Sequence, residues 1–292
     1  THLHTDSSHN RNSETVTTWR YSMADRIKPQ AVERVKKIRA WELNNKYREA
    51  QHIKGFKKYK NYFVPESIVK GSKTVLSFGV GGDVGFEKEI AFDNTDLQIE
   101  LFDPTPRSVN LIQNIINLSS YKLVGKRSDD PVNVQAVKRI NFQPVAYSKE
   151  NGYLPFYYDP TREDGRTAKE ALQSFSLIKR EEHYESVNVK AKTLRTIMSE
   201  LKMTSVDIIK ADIEGLWWEF GHEILDNNID CKFVALELEL NFEEDEKVEP
   251  ALDKAQLLCD KFQAKNYDVI INRLRDKLML EMLFVRKDAY EG

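Results

Sequence analysis

The sequence is poor in the features that mark several protein classes. Its 292 residues include only two cysteines, Cys231 and Cys259. Two thiols form neither a zinc cluster nor a disulfide framework, and one bridge at most. They are expected to be reduced, half-buried, small apolar residues. No apolar run approaches the roughly 18 residues that a membrane-spanning helix needs, so the segment is not expected to cross a bilayer. Neither sign of charge dominates: 44 Lys and Arg face 46 Asp and Glu, for a net charge of −2. A protein that mainly grips phosphates shows a clearer basic excess, which disfavours nucleic acid as a partner. No GxxxxGK[ST] follows a strand, which excludes a P-loop nucleotide site. No internal repeat is visible.

What is present is an ordinary globular composition, 40% hydrophobic and 31% charged, on a chain long enough to bury a sizeable core. A start at Thr1 rather than Met suggests a trimmed segment. An upstream signal peptide or anchor therefore stays open, and with it the choice between cytoplasm and a secretory lumen. Oligomeric state is not legible.

Along the chain, residues 1–22 are polar and aperiodic and read as a tail. His2, His4 and His9 within it are expected to be solvated rather than metal-binding. Apolar residues Val32, Val35, Ile38, Trp41 and Leu43 recur at helical spacing, predicting one amphipathic helix over 30–54. That stretch and its exit are basic, with Lys54, Lys57, Lys58 and Lys60 interleaved with Phe56, Tyr59, Tyr62 and Phe63. The reading is a solvated helix whose aromatics dock on the main domain; nucleic-acid or anionic-glycan binding is the alternative. Residues 1–63 are thus expected to be an extension, and 64–292 the main domain.

From residue 64 on, strands alternate with helices. TVLSF (74–78), LQIELF (97–102), 140–147, SVDIIKA (205–211) and KFVALELEL (232–240) read as strands. Helical stretches follow the glycine turn and lie near 107–118, 193–202, 217–227 and 250–264. Alternation of this kind means crossover connections and a mainly parallel sheet covered on both faces. The last two strands, 267–272 and 278–286, lie too close for a crossover and must form an antiparallel hairpin.

In an open parallel sheet, ligands bind beyond the carboxyl ends of the strands, where the strand order reverses. The first strand ends in Gly79-Val80-Gly81-Gly82-Asp83, whose glycines permit a sharp turn and close backbone approach. Asp103 ends the second strand, where a carboxylate can accept ribose hydroxyl protons. Counted from Gly79, the sixth position is Val84, so the dinucleotide fingerprint fails. A looser glycine turn carrying an acid suits S-adenosylmethionine, whose ammonium and sulfonium favour acidic surroundings. After the fourth strand stands Lys210-Ala211-Asp212-Ile213-Glu214-Gly215. Alternation puts Lys210, Asp212 and Glu214 on one side, costly for a buried strand unless the charges are paired or meet a polar cleft. Trp217 near the cleft and Glu237 on the fifth strand are candidates to contact substrate.

These pieces resemble the FkbM-type, methyltransferase-like branch of class I S-adenosylmethionine-dependent methyltransferases. The matching segments are SFGVGGDVGFE (77–87), ELFDPTPRSV (100–109), PVAYSKENG (144–152), TLRTIM (193–198), VDIIKADIEG (206–215) and LFVRK (283–287). The resemblance implies a Rossmann-like α/β fold with a seven-stranded, mainly parallel sheet and a C-terminal antiparallel hairpin. It implies that Gly79, Gly81, Gly82 and Asp83 shape the methionine pocket, that Asp103 binds the ribose, and that Val145 and Ala146 lie by the adenine. Lys210, Asp212 and Glu214 would line the transfer site, with Asp212 or Glu214 as general base and Lys210 orienting a carboxylate or the acceptor. A divalent cation held by Asp212 and a neighbouring glutamate is the alternative route. Two departures stand out: Trp217 replaces an acid common in the family, and Glu237-Leu238-Glu239 lacks its histidine. The implied acceptor is a hydroxyl of a sugar or glycan, with residues 159–182 as part of its wall or as an exposed insertion; methylation of a nucleic acid or protein, and a non-catalytic module that binds a glycan or partner, are the alternatives.

Overall fold

A computed structural model of the chain describes residues 29–117, 139–160, 175–179, 182–213, 215–239, 248–275 and 279–290. The three histidines of the tail, most of the 159–182 segment and Glu214 lie outside these residues.

The order of elements is α1 (Pro29–Asn45), β1 (Arg48–Glu49), β2 (Phe56–Tyr59), β3 (Tyr62–Pro65), α2 (Glu66–Gly71), β4 (Thr74–Phe78), α3 (Gly85–Asp93), β5 (Gln98–Phe102) and α4 (Pro106–Asn117). Then come β6 (Ile140–Gln143), β7 (Ala146–Tyr147), β8 (Gly152–Tyr158), β9 (Phe175–Ser176), β10 (Glu185–Lys192), α5 (Leu194–Glu200), β11 (Ser205–Ala211) and α6 (Trp217–Asp226). The chain closes with β12 (Asp230–Glu239), α7 (Val248–Ala264), β13 (Tyr267–Arg275) and β14 (Met279–Arg286).

The main sheet has eight strands in the order β1-β13-β14-β12-β11-β4-β5-β6. β14 alone runs against its neighbours, pairing antiparallel with β12 and β13, while the other pairings are parallel. The predicted Rossmann-like sheet with a terminal hairpin is therefore present, widened by β1 at its edge. Successive strands are laid outward from β4 through β5 to β6, then on its other side as β11 and β12. The reversal between β4 and β11 is the switch point at which such sheets bind ligands.

Both faces are covered, as period-two alternation in buried strands requires. Leu76, Phe78, Ile209, Val234 and Leu236 join one core with Phe220, Ile224, Leu258 and Phe262 of α6 and α7. Val75, Ile99, Leu101, Ile208 and Phe233 join the other with Tyr62, Ile68, Phe86 and Ile90. At α5, the Thr193 side chain accepts the Thr196 N–H at 3.1 Å, a helix N-cap.

The structure revises parts of the sequence reading. The basic helix ends at Asn45 rather than 54, and the chain then adds β1 to the sheet edge and turns through the hairpin β2–β3. The expected division after residue 63 runs through that hairpin. The single strand over 140–147 is two strands, parted at Pro144 and Val145: proline has no N–H to continue a ladder. β6 stays in the main sheet, whereas β7 enters a second sheet, β7-β10-β8-β9, which alternation alone did not announce. Among the described residues no helix is long and apolar enough to cross a membrane. Cys231 and Cys259 are free and fully buried rather than half-buried.

Candidate functional site

The site grows from the last rungs of three strands. At the end of β4 the Gly79 N–H donates to the Phe102 carbonyl at 3.0 Å, and the Asp212 N–H donates to the Phe78 carbonyl at 3.1 Å. Gly79 then turns with φ of 74°, in the left-handed region that favours glycine. A Cβ there would stand 1.8 Å from the Asp212 carbonyl oxygen. The turn after β4 and the exit of β11 therefore touch through backbone alone.

Two charged side chains hold that turn from opposite sides. Asp103, 4% exposed, accepts the N–H groups of Val80 and Gly81 on Oδ2 and that of Thr105 on Oδ1, each at 2.8 Å. Lys210, 7% exposed, donates through Nζ to the carbonyls of Gly79 at 2.5 Å and Phe78 at 3.4 Å. Ser108 adds a hydroxyl bond to the Gly81 carbonyl at 2.6 Å. A carboxylate offers about four acceptor directions. Asp103 spends three on the loop and keeps one for another donor.

Beyond the turn, Asp83 Oδ1 accepts the Gly85 N–H at 2.7 Å and its Oδ2 pairs with Lys60 Nζ at 3.1 Å. Lys60 sits at the two-residue tip of the β2–β3 hairpin, where its own N–H is held by Glu89 Oε2 at 2.5 Å. Its stem crosses Gly85, where a Cβ would meet Lys60 Cδ at 2.9 Å. The hairpin is thus clasped to α3 directly over the glycine turn.

Between these parts lies a cleft of about 190 Å³. Gly79, Val80 and Gly81 form one wall, and Lys60, Asn61 and Tyr62 face them from the hairpin. Lys210, Asp212, Ile213 and Leu216 line the β11 side. Phe102 of the main sheet, Ala146, Tyr147, Phe156 and Phe175 of the second sheet, and Leu177 just after β9 supply an apolar side. Phe156 and Phe175 stack with centroids 5.5 Å apart, and Phe78 stacks on Phe102 at 4.8 Å. Tyr147 donates to Glu223 at 3.0 Å. Burial, reinforced by that carboxylate, pushes its phenol far above the usual range, so it stays protonated. Glu87, buried under the loop, accepts the Ser77 hydroxyl at 2.5 Å. Among the described residues, four carboxyl side chains, Asp83, Glu87, Asp103 and Asp212, border the cleft, with two lysines, Lys60 and Lys210.

Of the residues singled out from sequence, Gly79, Gly81, Asp83, Asp103, Ala146, Lys210 and Asp212 line this one cleft. Gly82 turns away instead, with the Arg107 guanidinium 2.3 Å from where its Cβ would be. Val145 is buried beside Ala146 without lining the space. Trp217 does not face the cleft: it opens α6 on its inner side and is 3% exposed in the core, while Leu216 takes the lining position. Glu237 is also displaced from the expected role. It is 2% exposed, in register with the buried Glu281 of β14, and one strand removed from the switch point. Lys210 grips the loop carbonyls rather than reaching out to an acceptor. Among the described residues no three His, Cys, Asp or Glu side chains are grouped to hold a metal ion.

Sequence reasoning missed Lys60, Asn61 and Tyr62 as cleft residues, because a turn of Lys-Asn gives no strong hairpin signal. It missed Phe156, Phe175 and Leu177 because they come from β8, from β9 and from the bend after β9, none of which was read as structure from the sequence. Glu87 carried a signal: an acid on the first turn of α3, facing the same way as Ser77.

The strand order, the reversed β14 and the cleft at the switch point define a Rossmann-like α/β fold. No protein-family model matches the chain, and no curated protein matches it. Similar solved structures are of low identity. Methyltransferase FkbM from Methylobacillus flagellatus KT shares 11% identity over 90% of this chain and 57% of its own, with a TM-score of 0.43. This chain thus spans little more than half the length of that protein. The Methanococcus jannaschii fibrillarin pre-rRNA processing protein shares 9% over 82% of this chain and 73% of its own, TM-score 0.39. MNMC2 from Aquifex aeolicus shares 15% over 76% and 56%, TM-score 0.31.

Proposed function

We propose that this chain is an S-adenosylmethionine-dependent methyltransferase whose acceptor is a hydroxyl of a sugar or glycan. The observation that carries the reading is the glycine turn at the switch point, pinned by Asp103 and Lys210 and bordered by carboxylates. The chemistry of the cleft's lining suits such a donor. Gly81, with φ of 59°, lines the cleft, and a Cβ built on it meets no atom within 4 Å, so the missing side chain leaves open space at the turn. The acids suit a ligand with a cationic end and ribose hydroxyls, and the aromatic side suits a flat base. The FkbM-type assignment is the finer part of the reading and leans on the run Lys210–Gly215.

Bound in this cleft, the donor supplies an electrophilic methyl group. The chain's residues divide the remaining work. Asp103 keeps one acceptor direction for a ribose hydroxyl, and Ala146, backed by Val145, flanks the base. Asp83 faces the amino end. Lys210 fixes the turn by holding its carbonyls. A hydroxyl acceptor gives up its proton on methylation, and Asp212, at the exit of β11, is the described carboxylate to take it; Glu214 shares that candidacy by resemblance. General-base help of this kind contributes about 10²–10⁴-fold.

The near balance of charge, 44 basic against 46 acidic residues, disfavours nucleic acid as the acceptor. The test is transfer of a labelled methyl group from S-adenosylmethionine to a panel of glycans, free sugars and RNA, with Asp212→Asn in parallel. Label on a glycan, lost in the variant, supports the reading; label on RNA alone transfers the assignment to nucleic acid.

A further inference from the structure

We infer that the Lys60–Asp83 ion pair is the receptor for the α-amino-acid end of the donor, with Lys60 as the cation for its carboxylate. The inference rests on the S-adenosyl reading above and assigns a residue from outside the glycine motif.

The amino-acid end of that donor is a zwitterion. Its ammonium needs a carboxylate and its carboxylate needs a cation, and the cleft has carboxylates in excess. Only two ammonium groups border it among the described residues, Lys60 and Lys210. Lys210 is 7% exposed and committed to the Gly79 and Phe78 carbonyls. Withdrawing it would leave those carbonyls unpaired in a buried setting, which is costly. Lys60 is differently placed. Its side chain is 31% exposed and its ionic partner among the described residues, Asp83, is 58% exposed. An ion pair this open to water is weakly held and exchanges partners readily.

The backbone around Lys60 makes that exchange directed. Its N–H is tied to Glu89, and the neighbouring Asn61 carbonyl accepts from Asn272 Nδ2 at 2.9 Å. The hairpin tip is therefore anchored on both α3 and β13, and the stem runs through the gap left by Gly85. Only the ammonium is free to move. An arriving zwitterion meets a fixed pair of opposite charges: its ammonium takes Asp83, its carboxylate takes Lys60, and neither protein charge is stranded. A ligand of the same nucleoside without the amino acid engages neither. Lys60 thus selects for an intact α-amino acid on the donor.

The experiment is calorimetry with two probes, S-adenosylhomocysteine, which carries the amino acid, and 5′-methylthioadenosine, which lacks it. Each is titrated into the wild type, Lys60→Met and Lys60→Arg. A charged hydrogen bond lost at a partly open site predicts that Lys60→Met weakens S-adenosylhomocysteine about tenfold or more. It should leave methylthioadenosine unchanged within error, and Lys60→Arg should restore most of the loss. Equal weakening of both probes, or of neither, overturns the inference while leaving the S-adenosyl reading standing. If the wild type binds neither probe, the S-adenosyl reading itself fails.

Discussion

A Cβ atom on Gly79 would lie 1.8 Å from the backbone carbonyl oxygen of Asp212. The two residues end neighbouring strands, and the contact makes the glycine turn and the candidate base a single rigid corner. Gly79→Ala should therefore be far more damaging than Gly81→Ala, although both positions have positive φ. Overpacking against backbone costs about 1–3 kcal/mol, on top of about 1–2 kcal/mol for a left-handed alanine. Gly81→Ala incurs only the second cost but puts a methyl group into the cleft. Chemical denaturation should show the larger loss for Gly79→Ala, and ligand titration should show that Gly81→Ala loses affinity while staying folded.

Asp103 has a second duty that its position after β5 did not reveal. The sequence makes it a candidate ribose ligand; in the structure it also carries three backbone N–H bonds. Asp103→Ala should destabilise the protein by about 3 kcal/mol, since hydrogen bonds to a charged acceptor are worth about 1.5–3 kcal/mol each and are not additive. Asp103→Asn should be milder, because its amide oxygen keeps part of the set. Denaturant midpoints for the two variants decide this, and equal stability of Asp103→Ala and wild type would remove the brace.

Much of this was legible in the sequence. Short, largely apolar runs ending at Gly79, Asp103 and Asp212 announce parallel strands, whose carboxyl ends are where such a sheet places its ligand site. The hairpin over the cleft was not legible: Phe56 to Pro65 is basic and aromatic in a way that helices and hairpins share. Trp217 misled because adjacency to Glu214 in sequence says nothing about which side of α6 it occupies. Of the second sheet, β7 and β9 are two residues each, too short for alternation to show, whereas β8 and β10, of seven and eight residues, are strands that the sequence reading missed.

Asp207 links the start of β4 to β11 and should make stability depend on pH. Its burial opposes ionisation, but the Lys232 ammonium at 2.7 Å and the N–H groups of Lys73 and Thr74 outweigh it, holding its carboxyl below the usual value of 3.8. A carboxyl lowered in the folded state adds stability above its unfolded pKa, which is lost as pH falls through the folded one. Asp207→Asn should cost about 1–3 kcal/mol at pH 7. The gap to wild type should close as the pH falls below 3.8. Denaturation curves at several pH values test this; a gap that stays constant would contradict it.

Both cysteines should be silent in the folded protein. Burial pushes the thiols of Cys231 and Cys259 up to about 12, against a partial opposing effect of the Tyr267 and Tyr47 hydroxyls. The thiolate is the reactive form, so a disulfide reagent at pH 8 should label neither until denaturant unfolds the chain. Rapid labelling of the native protein would show that at least one is accessible.

Hydrogen exchange with and without S-adenosylmethionine tests the central claim most directly. The account predicts slowed exchange confined to peptides covering 78–85, 103–105, 146–147 and 210–213, with the hairpin tip 59–62 joining them. Unchanged exchange at saturating S-adenosylmethionine, or protection only in segments away from that corner, would contradict it.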